Sequence, residues 1–117
     1  MISDWFQETN VALTVSDKNG QIIYMNQKAC AVFSKFGECL VGSNLKNCHN
    51  ETSVQKMAHL LESGQSNIYT IEKNGRKKII IQLPWSSNQA VEGLLELSIE
   101  LPEEMPHHNR DAAPISP

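Results

Sequence analysis

The apolar positions of this chain change period several times, and each change marks an element. Val11, Leu13 and Val15 alternate with Ala12, Thr14 and Ser16, the period-two spacing of a β-strand. Asp17-Lys18-Asn19-Gly20 supplies turn chemistry, because Asn and Gly tolerate positive φ, and residues 22–25 return as a second strand. Residues 10–26 therefore predict a hairpin. Residues 27–36 switch to helical composition around Ala29, Cys30, Val32 and Phe33, with Gly37 as a natural stop. The stretch 38–50 holds only polar half-turns around Leu40, Val41 and Leu45. Thr52-Ser53-Val54-Gln55 has the form of a capping box. After it, Val54, Met57, Ala58 and Leu61 fall at i, i+3, i+4 and i+7, one face of a helix that Ser63-Gly64 closes.

The remaining pattern is of strands. Residues 68–73 lead into Asn74-Gly75, the strongest two-residue hairpin sequence, and residues 76–83 return. Residues 86–93 read as a polar loop. Leu95, Leu97, Ile99 and Leu101 then alternate with Glu96, Ser98 and Glu100, a strand with one wet face. Ahead of all this, residues 2–8 predict a short amphipathic helix with Ser3 as its cap and Trp5 and Phe6 as its buried side. The order predicts an α+β fold: a five-stranded antiparallel sheet with a helical insertion between strands two and three. Four of the five prolines lie in the last sixteen residues, and proline lacks the backbone donor that sheet or helix needs. Residues 1–101 are thus the expected folded body. Residues 102–117 read as a proline-rich tail, disordered at 112–117.

Composition narrows the function classes. The 117 residues are 40% hydrophobic, 20% charged and 6% aromatic, with a net charge of −3. That balance is ordinary for one globular domain. It lacks the basic footprint of a nucleic-acid binder, and no apolar run reaches the roughly 18 residues of a spanning helix. With no secretory leader pattern at the start, and three cysteines that pair into no even framework, the expectation is a cytoplasmic protein without disulfides.

Several local strings fit one family. Asp17-Lys18-Asn19-Gly20-Gln21-Ile22, then Asn26 and Ala29, resembles the D-x-x-G-x-I-x-x-x-N-x-A signature of PAS domains. Val41-Gly42 resembles the step after that family's second helix, and Ser63-Gly64-Gln65 the close of its long helix. The resemblance spans about residues 4–101. It implies a sensory or dimerising module whose sheet and helices enclose a pocket for haem, flavin or a small metabolite, or hold nothing. A body of this size leaves no room for an output domain, so the expected protein is a stand-alone sensor signalling through a separate kinase or regulator.

His49 is the foremost candidate for chemistry. It precedes the helix at 52–63, beside the apolar stripe of Val54, Met57 and Leu61, where a neutral imidazole can ligate haem iron. The string Asn47-Cys48-His49, with Ser53-Val54 following, resembles an N-C-H-P-x-x-S-V step of PAS-like proteins, with Asn50 where proline is usual. The expected cofactor site is therefore His49, Cys48, Val54, Met57 and Leu61, with haem b as cofactor and His49 as axial ligand. The plainer alternative is a loop histidine that caps a helix or faces solvent. Helical geometry turns His59 toward water, opposite the stripe. Cys48 invites comparison with flavin-binding LOV sensors, but the residues after it lack their Arg and Gln. Cys30 and Cys39 read as small buried hydrophobes. His107-His108 lies in the tail, where neighbours point apart. No nucleophile, base and orienting group occur together, and no phosphate-cradling loop occurs, so an enzyme is not expected. Two functions remain: a ligand-binding sensor, or a ligand-free module that forms a homodimer through Trp5 and Phe6 or docks on a separate kinase or regulator.

Overall fold

The computed structural model describes residues 2–33, 41–45 and 51–111. Its elements run α1 (Ile2–Phe6), β1 (Ala12–Asp17), β2 (Ile22–Met25), α2 (Gln27–Phe33), α3 (Glu51–Ser63), β3 (Asn67–Lys73), β4 (Arg76–Ser87) and β5 (Ala90–Glu100). The strands form one antiparallel sheet in the order β2-β1-β5-β4-β3, so the last strand closes against the first. This is the α+β sheet with a helical insertion that the sequence predicts.

Turn chemistry sets the registers. At the β1–β2 turn, Asp17 Oδ1 accepts from the amides of Asn19 and Gln21, both at 2.9 Å, and Gly20 takes φ 85°. At the β3–β4 turn, Asn74 and Gly75 both have positive φ, 55° and 75°, the geometry whose twist suits a two-residue hairpin. The third hairpin corrects the expectation of a loop at 86–93. Pairing runs to Ser87↔Ala90, so only Asn88 and Gln89 turn, at φ 53° and 68°. Strand β4 tolerates Pro84 because β3 pairing ends at Gln82, which leaves the missing donor on an open edge.

Asn26 ties three segments together. It is fully buried, and its Oδ1 accepts from the amides of Leu13 and Ala29, both at 3.0 Å. The Ala29 bond is the cap of α2. Its Nδ2 donates to the carbonyls of Phe6 at 2.7 Å and Val11 at 2.8 Å. Every polar valence is therefore used, as burial demands. Gly93 marks another tight joint. A Cβ there would collide with the Ser16 carbonyl and the Trp85 indole, which are themselves joined by a 2.9 Å hydrogen bond from Trp85 Nε1.

Residues 41–45 are stitched to the first hairpin. The amides of Ile22 and Leu45 donate to the carbonyls of Ser43 and Gly20, both at 2.8 Å, and Asn44 Nδ2 donates to Asn19. This places Leu45 between two core clusters: Ala12, Ile22, Met25 and Ala29 under α2, and Met57, Leu60 and Leu94 under α3.

Several local expectations change. Helix α1 ends at Phe6 and contains Ser3 rather than starting at it, and Trp5 is 76% exposed. Thr52 lies inside α3, which is already helical at Glu51, so the Thr52–Gln55 pattern is not its capping box. The buried face of α3 centres on Met57 and Leu60, not on Ala58, which is exposed. Larger side chains win the helix rotation, because Leu60 removes more apolar area from water than alanine does. Gly37, the expected stop of α2, lies outside the described residues. Cys30 packs on the α2 cluster and is disulfide-bonded, contrary to the expectation of a protein without disulfides. The described tail, 101–111, holds neither helix nor strand.

The largest correction concerns the wet face of β5. Leu94 packs on Met57 and Leu60 of α3. By strand alternation Glu96 and Ser98 share that side, and Ser98 is only 7% exposed. Leu95, Leu97 and Ile99 point away from the helices, alongside Ile79, Ile81 and Leu83 of β4, their register partners. The polar side of β5 is the covered one.

Candidate functional site

Helix α3 lies across the sheet above β5, with Met57 and Leu60 as its buried anchors. Two anchors do not fill the space on either side, and a cavity remains on each flank of Met57. The smaller, of about 260 Å³, lies toward the β1–β2 turn and is lined by Ser16, Leu45, Val54, Met57, Leu61 and Leu94 among others. The larger, of about 430 Å³, lies toward β3 and β4, between Thr52, Ser53, Lys56 and Met57 on the helix and Asn67, Tyr69, Ile71, Ile80, Gln82 and Glu96 on the sheet.

The floor of the larger cavity is a polar row across three strands. Asn67 pairs in register with Gln82, and Gln82 with Glu96. Asn67 Nδ2 donates to Gln82 Oε1 at 2.9 Å, and Gln82 Nε2 donates to Glu96 Oε2 at 2.9 Å. The order of the row is forced. An ionised carboxylate only accepts, so Gln82 turns its amide nitrogen to Glu96 and its oxygen to Asn67. Thr14 of β1, opposite Glu96, continues the row as a buried residue. Tyr69 stands on the same floor, and its phenol is pushed above its usual pKa, first by burial and then by the Glu96 carboxylate.

Of the expected site residues, Val54, Met57 and Leu61 line the smaller cavity together. His49 and Cys48 lie outside the described residues. His59 is exposed on the far side of α3, as helical geometry predicted. Glu96, Gln82, Asn67, Tyr69 and Lys56 were missed as site residues. Their signal was the parity of Glu96 with Leu94 in one strand, which places a carboxylate on the helix-facing side once Leu94 is recognised as core. Among the described residues, no three His, Cys, Asp or Glu side chains gather as a metal site, and no helix is long and apolar enough to span a membrane.

No protein-family model matches the sequence, and neither does any curated protein. Solved structures do match the fold. A PAS domain from Colwellia psychrerythraea superposes with a TM-score of 0.64 at 18% identity, over 86% of this chain and 93% of that one. The PAS domain of the histidine kinase ThkA gives 0.63 at 20% identity, over 76% and 97%. The Vibrio cholerae VqmA dimer, a LuxR-type receptor, gives 0.63 at 18% identity, over 85% of this chain and 49% of that one. With the strand order, the helical insertion between β2 and β3 and the cleft under α3, these likenesses identify the fold of this chain as that of the PAS domains.

Proposed function

We propose that this domain is a sensory module that binds a small ligand in the cleft between α3 and the sheet and passes the change to a kinase or regulator. The observation that carries the reading is the pair of cavities flanking Met57, the larger of which is in the size range of small-molecule pockets. A helix held by two anchors over a part-polar floor is easily shifted by what lies beneath it. The ThkA domain belongs to a histidine kinase, which favours a kinase as recipient. Catalysis forms no part of the proposal. The direct test is denaturation of purified protein and mass spectrometry of what is released, followed by titration of that molecule into Met57→Trp. Tryptophan would obstruct the wall that the two cavities share, and undiminished binding would place the ligand elsewhere.

The narrower haem version puts His49 on the iron. The described residues fit it on one side only. Val54, Met57 and Leu61 offer an apolar wall, whereas Glu96, Gln82 and Asn67 offer polar groups where a porphyrin face wants apolar contact. Protein reconstituted with haem is expected to show a Soret band that shifts in His49→Ala. Absence of a band, or a band indifferent to that change, removes haem and leaves the sensor.

A second reading, a homodimer formed without any ligand, is favoured by the outer face of the sheet. There Ile79, Ile81, Leu83, Leu95, Leu97 and Ile99 form one apolar surface, and Trp5 is exposed rather than buried. The VqmA neighbour is a dimer by its own description. Light scattering on the eluting protein decides. A dimer that Leu97→Lys converts to monomer supports this interface, and a monomer at all working concentrations removes it.

A further inference from the structure

Resting on the ligand-binding reading, the geometry of the larger cavity points to a ligand class: we infer that it takes a small zwitterion of amino-acid type with an apolar side chain.

The sheet side of the cavity supplies an ammonium site. Glu96 uses Oε2 for Gln82, while Oε1 makes no hydrogen bond among the described residues. The forced order of the row likewise spends Asn67 on donation and leaves its Oδ1 open. Tyr69 adds a hydroxyl that makes no protein hydrogen bond among the described residues and stands close enough to Glu96 to feel its charge. The described ion pairs are Lys18–Glu92 and Arg76–Glu100, so Glu96 has no cationic partner there. A carboxylate tethered by one neutral amide, with acceptors beside it, is a receptor for a charged N–H donor.

The helix side supplies the opposite charge. Lys56 lines the same cavity from α3, and Thr52 lines it from the first turn, where the helix dipole also favours an anion. Lys56 does not close on Glu96. The two charges stand on opposite walls with the cavity between them, and a ligand bearing both signs satisfies each. A simple cation meets Lys56 and a simple anion meets Glu96, so each single-charge ligand is disfavoured by one wall. Between the charged walls, Met57, Ile71 and Ile80 offer apolar surface for a side chain. The volume of about 430 Å³ leaves room for one.

Calorimetry with L-phenylalanine, L-leucine, phenethylamine and 3-phenylpropionate tests the inference on the full chain. The expected result is binding of one or both amino acids and weaker binding of the two single-charge analogues. Glu96→Gln keeps an acceptor for Gln82 and therefore the fold, which circular dichroism checks. It should bind the amino acid roughly 10- to 100-fold more weakly, the ratio for loss of one charge-assisted hydrogen bond. Lys56→Met should weaken the amino acid and 3-phenylpropionate but not phenethylamine. Amino-acid binding indifferent to Glu96→Gln overturns the inference, as does equal binding of phenethylamine and L-phenylalanine. If no zwitterion binds but denatured protein releases another molecule whose rebinding Met57→Trp blocks, this inference fails and the sensory reading stands. If no small molecule of any class is bound or released, both fail.

Discussion

The two faces of the sheet invert the usual assignment. The face toward the helices carries Ala12, Thr14, Ser16, Gln82, Glu96 and Ser98, small or polar residues among the core positions. The face away from them carries Val15, Ile79, Ile81, Leu83, Leu95, Leu97 and Ile99, almost unbroken apolar surface on β4 and β5. A sheet built only for stability puts the apolar set under the helices, since about 25 cal/mol is gained for each Å² removed from water. Here the covered side gives up part of that gain. What it holds instead is a hydrogen-bonded row beneath a helix, and what the far side holds is a half-buried apolar surface. On the proposed readings, the inversion would separate a side for recognition from a side for assembly.

Leu94 and Leu97 offer the sharpest way to break the comparison, being three residues apart in β5 on opposite faces. Leu94 is buried against Met57 and Leu60. Leu94→Ala should cost about 2–5 kcal/mol in denaturant unfolding, the range for a core leucine that leaves a cavity. Leu97 is only half-buried, and Leu97→Ala should cost about 1 kcal/mol in the monomer. If the outer face is an assembly surface, the Leu97 cost grows with protein concentration while the Leu94 cost does not. Equal, concentration-independent costs would show that the outer face is ordinary core.

The polar row makes a smaller and more specific prediction. Gln82→Leu alone strips Asn67 and Glu96 of their shared partner and should cost about 1 kcal/mol. Replacing both residues, Gln82→Leu with Glu96→Leu, removes the carboxylate as well as its amide. It should leave stability within about 1 kcal/mol of wild type. With Glu96→Leu costing a further ~1 kcal/mol alone, the double-mutant cycle should show favourable coupling of about 1 kcal/mol. Purely additive losses would mean that the row is not one unit and that its inward polarity serves no site.

Much of this architecture was legible in the sequence, for local reasons. Asn19-Gly20 and Asn74-Gly75 announce their turns because few other residues adopt positive φ cheaply. The helix at 51–63 announces itself by its period. What the pattern of β5 could not show was which of its two faces met the helices. Alternation defines two sides and is silent on which is covered, and the rule of apolar-inward chose wrongly. The third hairpin was hidden because Gln89 is an unusual residue for φ 68°. The disulfide of Cys30 was hidden because an odd cysteine count weighs against pairing. The larger cavity was missed for the same reason as the face, since Asn67, Tyr69, Gln82 and Glu96 converge only when three strands are in register.

Tyr69 measures the row from within. Its phenol titrates above the usual value of 10.0, with burial the larger cause and Glu96 the second. In a Tyr24→Phe background, which leaves one tyrosine, Glu96→Gln should lower the phenolate midpoint partway and not to the ordinary value. The absorbance of the phenolate on alkaline titration gives the answer. No movement would place the Glu96 carboxylate too far from Tyr69 for both to contact one ammonium group.

The smallest expected effect compares Glu96 with Glu100, two carboxylates on one strand and one face. Glu100 lies beyond the cover of α3, and Arg76 Nη1 reaches its Oε1 at 2.6 Å. That hydrogen bond first, opposed next by desolvation and aided by the nearby Arg76, Lys28 and Lys78 charges, holds the Glu100 carboxyl below its usual range. A folded-state pKa lowered in this way contributes stability that is present above the unfolded value and is lost as pH falls through the folded one. Arg76→Ala should therefore flatten the acid limb of the stability curve. Near neutrality it should change little, because an exposed pair is screened and entropically costly. Added salt should erase even the acid difference. Glu100→Gln should likewise leave ligand binding untouched, whereas Glu96→Gln should weaken binding. If the two glutamates exchange these effects, the carboxylate that matters for recognition is the open one, and the division of labour between covered and uncovered sheet fails.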